Sequence, residues 1–260
     1  VPPANANFDR RRAGAFGSAA EQYDRYRPRY PQALIDGLVI ADQMRVLDVG
    51  AGTGIAAAQL RERSARVLAV EPDRRMAEVA ASKGIPVEIA TFEDWEASGR
   101  EFDLVVFAQS FHWVDPLIAL PKIASILTGR GRLALLWNRI TPLAPTRQEL
   151  DSAYAGYLDA SARPAIDAAH DDTLLTLFQR EGYAIERRTV TEPLHYDAEA
   201  WVNMVTTYSN VLTLSPPMRS RLASNLRQRI GPAGVEAENT ATAIVCEPSR
   251  RLSRPPTPES

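Results

Sequence analysis

The residues with the most chemical meaning form one run, Val46-Leu47-Asp48-Val49-Gly50-Ala51-Gly52-Thr53-Gly54. An apolar stretch leads into three glycines at alternate positions, and a helix-compatible segment follows. Glycine tolerates positive φ and lets a ligand lie against bare backbone, so a strand, this turn and a helix make a site for a nucleotide-type ligand. A second apolar stretch ends in Val70-Glu71-Pro72-Asp73, which puts the Glu71 carboxylate 21 positions after Gly50. A carboxylate there accepts both ribose hydroxyl protons, a feature common to several nucleoside sites. The other role open to Glu71 is as a cap for the helix starting at Asp73.

Proton chemistry has few candidates. The histidines are His112, His170 and His195. His112 lies where a fourth apolar stretch ends, and an unperturbed imidazole pKa of about 6.5 suits it as a base or acceptor-orienting group; a pocket-lining role without proton transfer is the alternative. His170 and His195 fall in predicted loops facing solvent. No two histidines stand four apart, and Asp171 and Asp172 read as helix-start charges, so no metal is expected.

Asp48 separates the possible ligands. A dinucleotide fingerprint places Gly or Ala three positions after its second glycine, but that position is Ile55. A pyrophosphate beside Asp48 would also meet Coulomb repulsion. S-adenosylmethionine has no phosphate and carries an ammonium and a sulfonium, which an acidic strand tip suits. An NAD(P)-dependent oxidoreductase and a non-catalytic nucleoside-binding protein of the same fold stand as alternatives.

These residues need a scaffold, and the hydrophobic pattern supplies one. Apolar runs at Arg45–Val49, Arg66–Val70, Pro86–Ile89, Asp103–Phe107 and Arg132–Trp137 alternate with helical segments at Thr53–Arg63, Asp73–Ser82, Glu93–Ala97 and Pro116–Thr128. Continuous apolar strands alternating with helices predict a parallel sheet covered on both faces. Further helices are predicted at Thr146–Ala160, Asp171–Glu181, Asp197–Tyr208 and Pro216–Ile230, with strands at Tyr183–Thr191 and Thr240–Cys246. The fold class is therefore α/β: a doubly wound, mostly parallel seven-stranded sheet with a helical cap over its carboxyl edge, where open α/β sheets bind ligands. The divisions are a flexible leader over 1–17, a cofactor-binding core with N-terminal helices over 18–140, a cap plus the last two strands over 141–247, and a disordered tail over 248–260.

The composition excludes other classes. The chain has 260 residues, 45% hydrophobic and 24% charged, with a net charge of -2. It has no global basic field for nucleic acid. The lone Cys246 precludes an intrachain disulfide and, with no apolar run long enough for a membrane span, the reading is a cytoplasmic protein. Of 30 basic residues only Lys83 and Lys122 are lysines, a skew read as the mark of a GC-rich coding genome.

Together these residues resemble the class I S-adenosylmethionine-dependent methyltransferases, in particular the small-molecule group that includes trans-aconitate methyltransferase-like enzymes. Asp48–Gly54 and Glu71–Asp73 are similar to the first two motifs, with Ala51 and Pro72 inside them. Met76 matches an apolar position under the adenine, and Thr91-Phe92-Glu93-Asp94 resembles the segment at the adenine edge. Ala108-Gln109-Ser110-Phe111-His112-Trp113-Val114-Asp115 looks like the hydrophobic-His-Trp strand exit of the group, which brings Ala108 and Gln109 into the cofactor set. Tyr23–Pro31 resembles a leading helix that folds over the cofactor. There Tyr23 and Arg27 either close on its methionine end, with Arg27 pairing the carboxylate, or anchor the helix. Thr206 and Thr207 are similar to caps in the group. The resemblance is specific over residues 16–140, and it departs at Phe92 and at Trp95-Glu96, which stand where a small residue and Leu-Pro are usual.

What the resemblance implies is methyl transfer by in-line displacement to an O, N or C atom of a small molecule. A carboxylate acceptor needs no base. Trp113, Trp137 and Arg139 join His112 as acceptor-side candidates, with core packing the alternative for Trp137. Neither nucleic acid nor membrane is expected as a partner, and the chain is read as a monomer or weak homodimer.

Overall fold

The computed structural model describes residues 19–158 and 172–248. The expected leader over 1–17, His170 and the tail beyond Pro248 lie outside the described residues. Seven strands, β1 (Arg45–Val49), β2 (Arg66–Val70), β3 (Val87–Glu88), β4 (Phe102–Ala108), β5 (Leu127–Ala144), β6 (Tyr183–Tyr196) and β7 (Val235–Pro248), form one sheet in the order β3-β2-β1-β4-β5-β7-β6. The pairs among β1 to β5 are parallel, and β7 runs antiparallel to both β5 and β6. The chain winds outward from β1 to β3 and then returns to β4 on the other side of β1. The carboxyl ends of β1 and β4 therefore flank a topological switch point, the crevice where open α/β sheets hold ligands.

The two-residue alternation of strand side chains fills both faces of the sheet. Leu47, Val49, Val105, Phe107, Leu133 and Leu135 join one buried cluster, and Val46, Leu104, Val106, Ala134 and Leu136 join the other. Helices α3 (Ile55–Glu62), α4 (Arg74–Ser82) and α5 (Pro116–Ile126) make the crossovers, preceded by the leading helices α1 (Ala20–Tyr26) and α2 (Gln32–Asp36). A third cluster, built on Leu150, Trp201, Met204, Leu222 and Leu226, is the core of the cap. It joins α6 (Arg147–Tyr154), α8 (Ala198–Val205) and α10 (Pro216–Ile230), while α7 (Asp172–Arg180) packs on β6 and α9 (Ser209–Leu212) links α8 to α10. Among the described residues no helix is long and apolar enough to cross a membrane.

The structure corrects three readings. Glu93–Ala97 forms turns and irregular backbone instead of a helix. The last strands are much longer than their apolar runs: β5 continues to Ala144, β6 to Tyr196, and β7 begins at Val235. These extensions pair with one another, so cross-strand bonding carries them past the point where apolar periodicity stops, and Pro193 is tolerated because β6 is an edge strand. His195 consequently stands on β6, not in a loop, opposite Glu236, with Nδ1 2.7 Å from its Oε1.

Candidate active site

The glycine turn closes directly on β2. The N–H groups of Gly50 and Ala51 donate to the Val70 carbonyl at 2.8 and 3.2 Å, and Gly52 N–H donates to Glu71 Oε2 at 2.7 Å. Gly50 and Gly52 have φ of 63° and 57°. A Cβ on Gly50 would stand 2.6 Å from Ser110 Cβ, so no side chain fits there. A Cβ on Gly52 would meet only Met76 Cε, at 3.6 Å, and this bare backbone is the open face of the turn. Met76 itself is buried at the start of α4.

Two buried carboxylates sit beneath that face. Glu71 is 7% exposed and accepts Asp73 N–H at 2.9 Å in addition to Gly52 N–H, leaving each oxygen a second lone pair. The cap of α4 is Asp73, whose Oδ1 accepts from Arg75 and Met76 N–H, so the capping role does not fall to Glu71. Asp48 is fully buried and neither oxygen has a hydrogen-bond partner. Burial first, and the nearby Glu71 charge, push its pKa up to about 7, against the partial offset of the nearby Ala57 N–H dipole, which falls short of a hydrogen bond. Burial likewise raises the pKa of Glu71. A buried, unpartnered carboxylate under a bare turn suits a cation-bearing nucleoside and repels a pyrophosphate.

The exit of β4 forms the other wall. Gln109 holds a φ of 61°, fixed by its N–H to Leu136 O at 2.9 Å and its Nε2 to Asn138 O at 3.1 Å. Ser110 Oγ donates to the Val49 carbonyl, tying this exit to the end of β1 directly under Gly50. Phe111–Trp113 then make one turn of 3-10 helix, with Phe111 buried, His112 exposed and Trp113 half-buried. The His112 and Trp113 rings lie 4.6 Å apart at 45°. The protein crowded around the His112 imidazole pushes its pKa down to about 4.

Two expected acceptor-side and adenine-side placements change. Trp137 is buried within the core cluster that holds Phe111 and Phe178, so its ring packs the sheet face and does not wall a cleft. Phe92 is buried too, perpendicular to Phe107 at 5.6 Å, which leaves its backbone and not its ring at the loop edge. Beside it, the Thr91 hydroxyl donates to Asp94 Oδ2 at 2.8 Å and Glu93 Oε1 accepts Asp115 N–H at 3.3 Å. Arg139 is exposed on the upper part of β5.

Of the two roles open to Arg27, the geometry has the anchoring one. Its Nε donates to Thr207 Oγ1 at 2.9 Å and its guanidinium lies 4.1 Å from the Tyr208 ring centroid and 4.8 Å from that of Tyr23. Gln22 Nε2 donates to Thr206 Oγ1 at 2.7 Å, so α1 docks on the end of α8 through both threonines. Ser110, Asn138, Lys83 and Lys122 were not singled out by motif, yet they tie the site loops together. Asn138, for example, donates to Arg29 O at 3.2 Å and accepts from Asn239. The one sequence signal for the two cations is that no other lysine occurs. Among the described residues no three His, Cys, Asp or Glu side chains form a metal-holding group.

Comparison with known proteins agrees with this geometry. A methyltransferase domain family matches residues 23–187. An uncharacterized methyltransferase of Mycobacterium tuberculosis is 31% identical over 233 residues, covering 88% of this chain and 91% of that protein. A malonyl-[acyl-carrier protein] O-methyltransferase of Herminiimonas arsenicoxydans is 26% identical over 204 residues, covering 76% of this chain and 73% of that protein. In fold, a candidate type II methyltransferase from Anaeromyxobacter dehalogenans superposes with a TM-score of 0.54 at 21% identity, covering 86% of this chain and 99% of that one.

Proposed function

The chain belongs to the class I S-adenosylmethionine-dependent methyltransferases, and we propose that it methylates a carboxylate oxygen of a small molecule by aligning donor and acceptor, without a general base. Bound S-adenosylmethionine supplies a methyl group on a sulfonium, already activated for displacement. The residues that would hold it are those gathered at the switch point. Glu71 keeps lone pairs for the ribose hydroxyls, Gly52 leaves room for the nucleoside above Met76, and Asp48 offers negative charge below a cationic ligand. The backbone at Thr91–Glu93 and at Ala108–Gln109 would border the adenine.

The observation that carries the carboxylate reading is the chemistry offered at the β4 exit. His112 stands there with no carboxylate paired to it among the described residues, and its environment keeps it neutral and weakly basic at neutral pH. A hydroxyl acceptor would have to lose its proton to such a group, whereas a carboxylate arrives ionised. Arg139, on the same β5 alternation as Leu135, supplies positive charge on the acceptor side, and Trp113 an aromatic wall. The O-methyltransferase named for a malonyl group among the relatives supports the same acceptor class.

The test is S-adenosylhomocysteine release over panels of carboxylic acids, phenols and amines, with the product identified by mass. An alkali-labile methyl ester is the expected product. A base-stable methyl group, or turnover confined to amines, refutes the reading.

A further inference from the structure

In this arginine-rich chain the only two lysines, Lys83 and Lys122, are both committed to backbone carbonyls of the loops around the switch point. Lys122 rises from the middle of α5. Its Nζ donates to the carbonyl oxygens of Phe92 at 2.7 Å, Glu93 at 3.1 Å and Trp95, and lies 5.1 and 5.8 Å from the Phe92 and Trp95 ring centroids. The segment it gathers belongs to no helix or strand, so few ladder bonds hold its shape. Lys83 follows the last turn of α4. Its Nζ donates to the Thr53 carbonyl of the glycine turn at 2.8 Å and to Asp24 of α1, which also faces Arg29 at 3.6 Å.

Three N–H donors on a compact tetrahedral ammonium converge on carbonyls that surround one point. A guanidinium spreads its donors in a planar fork and cannot do the same. Arg100 shows the contrast, its fork taking the Glu96 and Ala97 carbonyls side by side, whereas Lys122 meets three carbonyls around one nitrogen.

We propose that Lys122 and Lys83 are the positioning residues of the cofactor pocket: Lys122 fixes the Thr91–Trp95 edge, and Lys83 ties the glycine turn to the leading helix. Both act through the backbone they hold. The inference rests on assigning those two loops to the cofactor, as proposed above.

The experiment measures S-adenosylhomocysteine affinity by titration calorimetry, and melting temperature, for the full chain and for Lys122→Met, Lys122→Arg and Lys83→Met. Both methionine variants are expected to bind about ten- to thirtyfold more weakly, and Lys122→Arg to recover no more than about threefold of that loss. Lower melting temperatures with affinity unchanged would mean a purely structural role and would overturn the proposal. Failure of the parent chain to bind would overturn both this inference and the loop assignment, while unchanged variants of a binding parent would overturn this inference alone.

Where a variant does not fold, acetylation of the native chain by an N-hydroxysuccinimide ester replaces it. Peptide-resolved labelling of the two lysines is expected to slow at least about fivefold in saturating S-adenosylhomocysteine, because ligand binding suppresses the loop openings that free the amines. Equal rates with and without ligand would overturn the proposal.

Discussion

Replacing Asp48 by Asn should move stability and cofactor affinity in opposite directions. The carboxyl is fully buried without a hydrogen bond, and its pKa stands at about 7 against an ordinary 3.8. A folded pKa raised above the unfolded one means that stability is greatest at low pH and is lost as pH rises through about 7. Above that, the difference between about 7 and 3.8 corresponds to about 4 kcal/mol of destabilisation. The Asn amide is itself a buried polar group and returns about 1–3 kcal/mol of that, so a net gain of about 1–3 kcal/mol remains at pH 8. At about 2–4 °C per kcal/mol for a chain of this size, the melting temperature of the ligand-free variant should rise by several degrees at pH 8 and much less at pH 5.5. With the cofactor placed as proposed, its affinity should fall, because the variant lacks the anion that would complement the sulfonium and ammonium. The parent chain should itself bind S-adenosylmethionine about tenfold more weakly at pH 6 than well above pH 7, since only about a tenth of Asp48 is then ionised. Calorimetric titration of both proteins between pH 5.5 and 8 isolates this dependence as the difference between them. A variant that is less stable at pH 8, or that shares the parent's pH dependence of binding, refutes the argument.

Three further perturbations probe separate parts of the site. Gly50→Ala places a Cβ 2.6 Å from Ser110 Cβ at a φ of 63°, so it should destabilise the chain by about 2–4 kcal/mol in urea titration and abolish measurable S-adenosylhomocysteine binding. His112→Ala should lower kcat by less than about tenfold with a carboxylate acceptor, and a loss above about a hundredfold would restore the base to the mechanism. Arg27→Met removes the bond to Thr207 and the contact with Tyr208, and should cost about 1–2 kcal/mol in thermal unfolding and expose α1 to protease, whereas an effect confined to cofactor affinity would return Arg27 to carboxylate binding.

What the sequence disclosed follows from how local each cause is. The strands β1, β2 and β4 were legible because both faces of each are buried, which writes them as continuous apolar runs. The outer halves of β5, β6 and β7 have no such mark. The residues of β6 alternate between half-buried and exposed, those of β5 past Trp137 are half-buried or exposed without a regular period, and the outer half of β7 buries only small or polar residues such as Ala237 and Asn239 beside Val235. They are strands because each pairs with the next, a relation between Thr141 and Glu238 or Leu194 and Ala237 that no window of one strand contains. The false helix at Glu93–Ala97 has the same origin. There a helical composition gives way to a contact distant in sequence: the ammonium of Lys122 gathers the carbonyls of Phe92, Glu93 and Trp95 around itself.

The site divides along the same line. Gly50, Gly52, Asp48 and Glu71 were readable because their jobs are set within one strand and turn: a positive φ, a missing Cβ, a carboxylate at a strand end. Arg27 was readable as important but not as to its partner, because guanidinium chemistry fits a ligand carboxylate and a threonine carbonyl equally well, and only docking of α1 on α8 decides between them. Ser110 shows how close the limit lies. It sits in the quoted strand exit, yet its function is to pass beneath Gly50 and hold the Val49 carbonyl, so the glycine and the serine explain each other only once β4 is laid beside β1. The switch point is thus more than a gap between strands. Ser110 on one side and Glu71 on the other hold the turn from below, and the energy stored in burying Asp48 between them is what a cationic ligand can release.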